Sequence, residues 1–254
     1  MYKIQRQEQI LQYIYEKKEV SVMELSELFN VSEVTIRKDL CELSKKGKVV
    51  KTHGGATYFG SIADTKIPYY KRDLISVKEK NKIGACAASL IKEGEIIFVD
   101  AGSTTNNIVP YLEDKEITVV TCDIRIAYRL IMYPKITLVV SGGYSQNSIF
   151  ALVGSMSEEM FRNTRADMLF LSLDAIDFDY GISYKTLYPV AVKKAMMDSA
   201  KKVVAIFDSS KTGKKSFAKL CDIEDIDVII TDAGIDEIYK KKFQEKGVEV
   251  IIAN

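Results

Sequence analysis

Residues 32–38 contain several hydrogen-bonding side chains that suit contacts to DNA. These residues are Ser32, Glu33, Thr35, Arg37 and Lys38. Ile36, Leu40 and Leu43 recur at helical spacing, so a helix here would bury one apolar face and expose the polar one. Ser32 is a favourable residue to cap its first turn. Because hydroxyl, guanidinium and ammonium groups bind base edges and phosphates, the stretch predicts a DNA-recognition helix.

A second polar stretch follows the apolar run at positions 96–99. Its members are Asp100, Gly102, Ser103, Thr104 and Thr105. A glycine lets backbone N–H groups approach an anion, hydroxyls add donors, and the start of a following helix favours phosphate. Asp100 would repel phosphate but would accept hydrogen bonds from sugar hydroxyls. The stretch predicts a site for a phosphorylated sugar or polyol; the alternative is a capped helix with incidental hydroxyls.

Similar residues follow three other apolar runs. They are Thr121, Cys122 and Asp123, then Gly142 and Gly143, and finally Lys211. Ligands of parallel α/β sheets bind beyond the carboxyl ends of the strands, so all of these positions are candidates for one effector site. The Lys211 ammonium group could pair with a phosphate. Each position taken alone is more often an ordinary turn or helix cap.

Two further helices are predicted before the recognition helix. Ser21 and Glu24 have the spacing of a capping box, which begins a helix. Asn30 ends that helix, because asparagine tolerates the left-handed conformation of a tight turn. Apolar positions at helical spacing predict another helix over residues 3–17. Three helices with a short turn before the last one are typical of a small DNA-binding unit.

The residues after Gly47 predict a wing beside the recognition helix. Two short β-like stretches surround a glycine turn there. Lys48, Lys51 and His53 would place donors against the sugar-phosphate backbone. His53 could instead form a hydrogen bond within the wing.

The rest of the chain alternates between helical segments and short apolar runs rich in β-branched residues. The runs lie at 96–99, 118–120, 136–140, 168–173, 203–207, 228–230 and 248–252. Such runs mark strands buried on both faces, and the alternation predicts a mostly parallel sheet wrapped by helices. The fold class is α/β, with a small N-terminal winged helix-turn-helix domain at 1–58. A linker at 59–73 and a larger effector-sensing and oligomerisation domain at 74–254 are expected to follow.

Composition restricts how the chain meets its partners. The 254 residues include 36 Lys plus Arg and 35 Asp plus Glu, so the whole molecule has no general attraction to polyanions. Residues 33–53 carry six basic against three acidic side chains, which fits a site-specific DNA binder. Four scattered cysteines, a single histidine and no signal peptide favour a reduced, cytoplasmic protein without a metal or a cofactor.

The N-terminal stretch resembles the DeoR family of bacterial transcription repressors. The matching residues are Arg6, Ile10, Leu11, Val22, Glu24, Leu25, Val31, Ser32, Thr35, Ile36, Arg37, Lys38, Asp39, Leu40, Leu43, Gly47, His53, Gly54, Gly55 and Ala56. The sensor domain of that family looks like the sugar-phosphate isomerase fold. The loop matching residues 100–105 and the lysine matching Lys211 belong to its effector pocket. The resemblance therefore implies a repressor of sugar catabolism that a sugar phosphate releases from its operator.

The chain departs from the family pattern at a few positions. Cys122 stands where members usually carry asparagine, and residues 172–177 with Tyr188 and Pro189 replace a glycine-rich segment and a following glutamate. These departures point to a different sugar phosphate or to weakened binding.

Two other interpretations use the same residues. An aldose-ketose isomerase needs a carboxylate base and a cation, which Asp100, Asp174, Asp177 and Lys211 supply, but it has no use for a basic helix and wing. A winged helix can also bind protein, and such binding would not weaken steeply with salt as DNA binding does. We expect a non-enzymatic regulator of double-stranded DNA. One short helix reads few base pairs, so we also expect a homodimer or homotetramer.

Overall fold

The computed structural model describes residues 3–17, 19–45, 49–52, 54–58, 72, 75–145 and 150–254. The chain divides into two compact units, Met1–Ile67 and Pro68–Asn254, which are described separately below. The expected linker at 59–73 lies outside the described residues except for Arg72, so its bounds stay a prediction. Within the described ranges, no helix is both long enough and apolar enough to cross a membrane.

Three helices form most of the first unit. Helix α1 spans Lys3–Lys17, α2 spans Val22–Phe29 and α3 spans Glu33–Lys45. The Glu24 backbone N–H donates to the Ser21 hydroxyl at 3.0 Å, and the Ser21 N–H donates to the Glu24 carboxylate at 3.4 Å. Asn30 follows α2 in the left-handed conformation with a φ of 50°. The predicted helix-turn-helix is confirmed, and its boundaries have the predicted cause.

A three-stranded antiparallel sheet completes the first unit. Its strands are β1 (Glu19–Ser21), β2 (Val49–Lys51) and β3 (Gly55–Tyr58), in the spatial order β1-β3-β2. The hairpin of β2 and β3 is the expected wing. Strand β1 was missed, because three residues between two helices show no periodicity. The fully buried core includes Ile10, Ile14, Leu25, Ile36, Leu40 and Leu43.

The strands of the second unit follow one another as β4 (Ile96–Val99), β5 (Ile117–Thr121), β6 (Ile136–Val140), β7 (Met168–Leu171), β8 (Ala175–Asp177), β9 (Gly181–Tyr184), β10 (Val203–Ile206), β11 (Ala218–Cys221), β12 (Val228–Asp232) and β13 (Glu249–Ala253). Seven of them form one sheet in the order β13-β12-β10-β7-β4-β5-β6. Every neighbouring pair in it is parallel. The predicted α/β fold is confirmed.

Helices cover both faces of this sheet. They are α4 (Val77–Ser89), α5 (Ile124–Leu130), α6 (Ser155–Arg162), α7 (Val190–Asp198) and α8 (Glu237–Glu245). Alternate strand residues face two separate apolar clusters: Phe98 packs with Phe161 of α6, whereas Ile97 packs with Ile83 of α4. Burial on both faces explains why the strands read as continuous apolar runs.

A second, antiparallel sheet in the order β11-β9-β8 was not predicted. Residues 172–177, where the family usually carries a glycine-rich segment, include a strand, because 175–177 pair with β9. Gly181 makes the pairing possible, because it has a φ of 85° and an added Cβ would lie 2.0 Å from the Cys221 carbonyl oxygen. Strands of three or four residues are too short to show a clear periodicity, and β9 also depends on β11, a partner distant in sequence.

The helix expected after Thr105 is replaced by two short 3-10 turns. They span Thr105–Asn107 and Val109–Tyr111. Pro110 accounts for the difference, because it has no N–H to donate to an α-helical ladder. The phosphate site expected here cannot use the dipole of a long helix.

Candidate functional site

The polar face of α3 is exposed over its first turns. The Ser32 and Thr35 hydroxyl oxygens lie 3.0 Å apart, and the Thr35 N–H donates to Ser32 at 3.4 Å. Arg37 and Lys38 are exposed. Arg37 forms an exposed ion pair with Glu33 at 3.1 Å. Such a pair is weak in water, so the guanidinium group can exchange its partner for a base edge or a phosphate.

The buried face of α3 is held by an ion pair that the sequence analysis missed. Arg6 Nε of α1 lies 2.7 Å from Asp39 Oδ2, and Gln7 donates to Asp39 Oδ1 at 2.9 Å. Asp39 is 1% exposed, so both of its oxygens are satisfied inside the unit. The contact fixes the rotation of α3 against α1. A usable signal was present: Asp39 lies in the apolar stripe three residues after Ile36, where a carboxylate needs a buried partner.

The wing is only partly described. Lys51 ends β2 and is exposed. Lys48 and His53 lie outside the described residues, so their phosphate contacts stay predictions.

The candidate effector residues of the second unit lie along one edge of the large sheet. Strands β6, β5, β4, β7 and β10 are successive neighbours in that order, so their carboxyl ends share this edge. The candidate residues at these ends are Gly142 and Gly143 at β6, Thr121 to Asp123 at β5, Asp100 at β4, Ser172 at β7 and Lys211 at β10. Ser172, at the central strand, is the member that the sequence analysis did not select.

Asp100 is the centre of a buried polar network. Its Oδ2 forms an ion pair with Lys193 of α7 and accepts hydrogen bonds from the Ser172 N–H at 3.0 Å and from the Ser172 hydroxyl at 2.8 Å. Tyr184 donates to the Ser172 carbonyl, and Lys193 lies 4.7 Å from the centre of the Tyr184 ring. Asp100 Oδ1 is buried and has no hydrogen-bond partner among the described residues. This oxygen is an acceptor that a sugar hydroxyl could satisfy.

The network explains why β7 is shorter than predicted. The run at 168–173 suggested a strand to Leu173, but the strand ends at Leu171. The chain leaves the sheet there because Ser172 turns its N–H and hydroxyl toward Asp100. Lys193 was missed as well, because its place in the site depends on the packing of α7.

The loop after β4 is shaped by Gly102. An added Cβ at this position would lie 2.4 Å from Ser172 Cβ, so only glycine fits without a shift. The fully buried Thr105 hydroxyl donates to the Gly102 carbonyl at 3.0 Å, which supports the loop. Thr104 is buried and Ser103 is half-buried. Among the described residues, the N–H groups of positions 103–105 donate no hydrogen bond within the chain, so they are free to face an anion.

The residues at the end of β5 mainly hold the fold. The Thr121 hydroxyl donates to the Val99 carbonyl at 2.7 Å and accepts from the Asp123 N–H at 3.0 Å. Asp123 caps α5 and pairs with Arg125 at 2.7 Å. Burial, with the Asp100 carboxylate nearby, raises the pKa of the Cys122 thiol far above its usual range, so this thiol stays protonated.

The remaining candidates lie toward opposite ends of the edge. Gly143 has a φ of 117°, and an added Cβ there would lie 2.4 Å from the Val153 carbonyl oxygen. Gly142 precedes it and is half-buried. Lys211 belongs to a short 3-10 turn after β10, where its N–H donates to the Asp208 carbonyl at 3.0 Å. Asp208 Oδ2 is a second buried acceptor without a partner among the described residues.

Asp174 lies just beyond Ser172 and pairs with Arg72 at 2.7 Å. Its other oxygen accepts from the Lys185 N–H at 3.1 Å. Burial acts to raise the pKa of Asp174, but Arg72, the Lys185 N–H and the Lys185 and Lys211 charges outweigh it, and the pKa lies below its usual value. Asp174 is therefore ionised at neutral pH. No group of three or more potential metal ligands occurs among the described residues.

Profiles of known protein families match both units. The DeoR-like helix-turn-helix domain matches residues 6–61, and the DeoR C terminal sensor domain matches residues 75–233. The HTH-type transcriptional regulator GolR of Listeria innocua is 32% identical over 100% of both chains. The putative aga operon transcriptional repressor of Escherichia coli O157:H7 is 31% identical over 98% of this chain and 93% of its own. The transcriptional repressor GlcR of Bacillus subtilis is 30% identical over 99% and 97%.

Two solved structures of ribose 5-phosphate isomerase show a distant likeness to the chain. Ribose 5-phosphate isomerase A of Methanocaldococcus jannaschii aligns with 54% of each chain at a TM-score of 0.40 and 18% identity. The enzyme of Neisseria gonorrhoeae aligns with 57% of this chain and 55% of its own at a TM-score of 0.39. Similarity of this size carries no information about chemistry.

A winged helix-turn-helix unit followed by a separate α/β unit defines a DNA-binding transcription regulator. The two profile matches cover both units, and the relatives match along nearly their full lengths. The chain belongs to the DeoR family.

Proposed function

We propose that the protein represses an operon of sugar catabolism and that a phosphorylated sugar releases it from DNA. The observation that carries the proposal is the polar edge of the sheet. It combines free N–H groups at positions 103–105, the unpartnered oxygen Asp100 Oδ1 and the Lys211 cation. These groups suit a phosphate and sugar hydroxyls. The family and the names of its relatives favour repression as the response.

The proposed DNA contacts are those of α3 and the wing. They are Ser32, Glu33, Thr35, Arg37, Lys38, Lys48, Lys51 and His53. Effector binding would favour an arrangement of the sensor units that no longer places two recognition helices on neighbouring half-sites. The loss of operator affinity then equals the coupling free energy between the two sites. Such a regulator acts where the chromosome lies, which in bacteria is the cytoplasm.

A homo-oligomer is part of this proposal, and an exposed apolar surface supports it. Tyr128, Ile131 and Met132 lie on or just after α5 and are 78%, 70% and 77% exposed. Val139 and Val140 of the neighbouring edge strand β6 are also exposed. Apolar surface of this kind marks protein contacts. Light scattering measures the mass of the wild type and of Ile131→Asp. The wild type should be an oligomer that this substitution weakens, and a monomeric wild type would contradict the proposal.

The decisive experiment measures binding to the DNA upstream of the protein's own coding region across a salt series, with and without a panel of sugar phosphates. Sequence-selective binding that weakens steeply with salt and is lost with one sugar phosphate is the expected result. Lys211→Ala should bind the same DNA and respond less to that compound. If no condition gives selective binding, the repressor proposal is wrong.

We also propose that the chain is not an enzyme. The family supports this, because its relatives are named as transcription regulators and repressors. An isomerase would also have no use for the basic α3 helix and the wing. Incubation with pentose and hexose phosphates should yield no ketose or aldose product. Turnover that Asp100→Ala abolishes would overturn this part of the proposal.

A further inference from the structure

Three basic side chains lie near Asp174, beside the polar edge, and a fourth lies near one of them, Lys185. We name Arg72, Lys185, Lys211 and Lys214 the cationic cluster. Arg72 contacts the Asp174 carboxylate directly at 2.7 Å. Lys185, Lys211 and Lys214 act on one another or on Asp174 through their charges. The charges that act on Lys185 are thus those of three cations, Arg72, Lys211 and Lys214, and of the Asp174 carboxylate. Both oxygens of that carboxylate already have partners.

The pairing of the small sheet brings the cluster together. Ala175 of β8 lies opposite Ser183 of β9, which places Asp174 and Lys185 at the same end of the two strands. On the other side of β8, Ile176 pairs with Thr212, and the Lys214 N–H donates to the Ile176 carbonyl at 3.3 Å. The segment carrying Lys211 and Lys214 therefore runs beside β8. The end of β8, the end of β9 and residues 211–214 therefore lie side by side.

The cluster is continuous with the proposed effector site. Asp174 is two residues beyond Ser172, whose hydroxyl contacts Asp100. Lys185 directly follows Tyr184, which donates to the Ser172 carbonyl. The cluster therefore begins two residues, at most about 7 Å of chain, from the residue that contacts Asp100.

The Lys185 and Lys211 ammonium groups form no salt bridge or hydrogen bond within the described part of the chain. Lys214 donates to the Ser210 carbonyl at 2.5 Å, so it is partly committed to the backbone. Burial, and then the neighbouring charge of Arg72, lowers the pKa of Lys185, and Asp174 opposes this only in part. The positive charges repel one another, and an anion would remove that repulsion.

We propose that the cationic cluster is a second anion subsite and that the effector carries an acidic group in addition to its phosphate. The inference rests on the proposed function, because it assumes that the first phosphate binds at the loop after β4. The acidic group is a carboxylate or a second phosphate, as in a phosphorylated sugar acid or a sugar bisphosphate. Either group would accept a charge-assisted hydrogen bond from Lys185, whereas Lys211 remains available to the first phosphate.

Calorimetry with the full chain tests the inference using compounds matched except at one end. The pairs are glycerol 3-phosphate and 3-phosphoglycerate, ribose 5-phosphate and 5-phosphoribonate, and glucose 6-phosphate and 6-phosphogluconate, with glucose 1,6-bisphosphate as the bisphosphate arm. In at least one pair, or in the bisphosphate arm, the compound with the additional acid should bind about tenfold more tightly than its matched monophosphate.

Lys185→Ala should remove most of that tenfold difference and leave the affinity for the monophosphate unchanged. Lys194→Ala, at an exposed position of α7, is the control and should preserve the difference. Preference for 6-phosphogluconate over the bisphosphate identifies a carboxylate, and the reverse order identifies a phosphate.

Equal affinity for every matched compound overturns the inference while leaving the proposed function in place. Equal weakening of both members of a pair by Lys185→Ala also overturns it, because the lysine would then contact the shared phosphate. Absence of binding by all of these compounds would contradict the proposed function, and the inference would fall with it.

Discussion

Lys193 and Asp100 form an ion pair in which the side chains are only 4% and 1% exposed. The pair joins α7 to the end of β4, and Ser172 adds two hydrogen bonds to the same carboxylate oxygen. One contact therefore fixes the helix, the central strand and the loop of the proposed effector site. Its loss should affect both the stability of the unit and its response to a ligand.

Lys193→Ala should lower the free energy of unfolding of the second unit by about 3 to 5 kcal/mol, because Asp100 would remain buried and charged without its partner. Urea denaturation measures the change. Lys194→Ala, on the next and exposed position of α7, should change stability by less than about 0.5 kcal/mol.

The double variant Asp100→Asn with Lys193→Ala separates the cost of an unpaired Asp100 charge from the cost of losing the Lys193 side chain. It should recover part of the stability lost in Lys193→Ala, since no unpaired charge is left in the core. If Lys193→Ala costs no more than Lys194→Ala, the ion pair does not stabilise this unit.

Arg6→Ala should destabilise the first unit much more than Arg37→Ala. Arg6 is 11% exposed in its pair with Asp39, whereas Arg37 is 56% exposed in its pair with Glu33. We expect Arg6→Ala to destabilise the first unit by about 3 to 5 kcal/mol, and Arg37→Ala by less than about 0.5 kcal/mol. Thermal unfolding followed by circular dichroism distinguishes them. Equal effects would mean that the Arg6 contact does not hold α3.

Arg37→Ala and Lys51→Ala should differ in how they weaken DNA binding. If Arg37 reads a base, its loss should cost about 1 to 3 kcal/mol on the operator and relax sequence preference. Lys51→Ala should weaken operator and scrambled DNA alike and reduce the salt dependence. Fluorescence anisotropy with both duplexes over a salt series measures these changes. A uniform loss for Arg37→Ala would assign this residue to the phosphates.

Gly102→Ala should damage the effector loop. Its Cβ would approach Ser172 Cβ to 2.4 Å, which would push Ser172 away from Asp100. We expect a loss of about 1 to 3 kcal/mol in stability, together with weaker sugar-phosphate binding. Gly142→Ala is the matched control for stability, because its Cβ would meet only the Met156 side chain, at 3.0 Å from the terminal methyl carbon and 3.5 Å from the Met156 Cβ. A loss of stability in Gly102→Ala no greater than that in Gly142→Ala would contradict the tight contact at Gly102.

Much of the first unit could be predicted because its signals are local. The Ser21–Glu24 capping box and the left-handed Asn30 act within one turn of the chain, so their residue types identify helix ends directly. The stripe of Ile36, Leu40 and Leu43 likewise reports the buried face of α3. The Arg6–Asp39 pair joins residues 33 positions apart, and only the packing of α1 against α3 decided it.

The sequence by itself determined the alternation of the second unit and the strand ends that carry polar groups, because continuous apolar runs record burial on both faces of a parallel sheet. It could not supply the strand order, which places β7 between β4 and β10 and brings Ser172 to Asp100. Nor could it predict the small sheet that assembles Arg72, Lys185 and Lys211 around Asp174. These relationships join residues far apart in the chain, so only tertiary structure, through burial and charge, decides them.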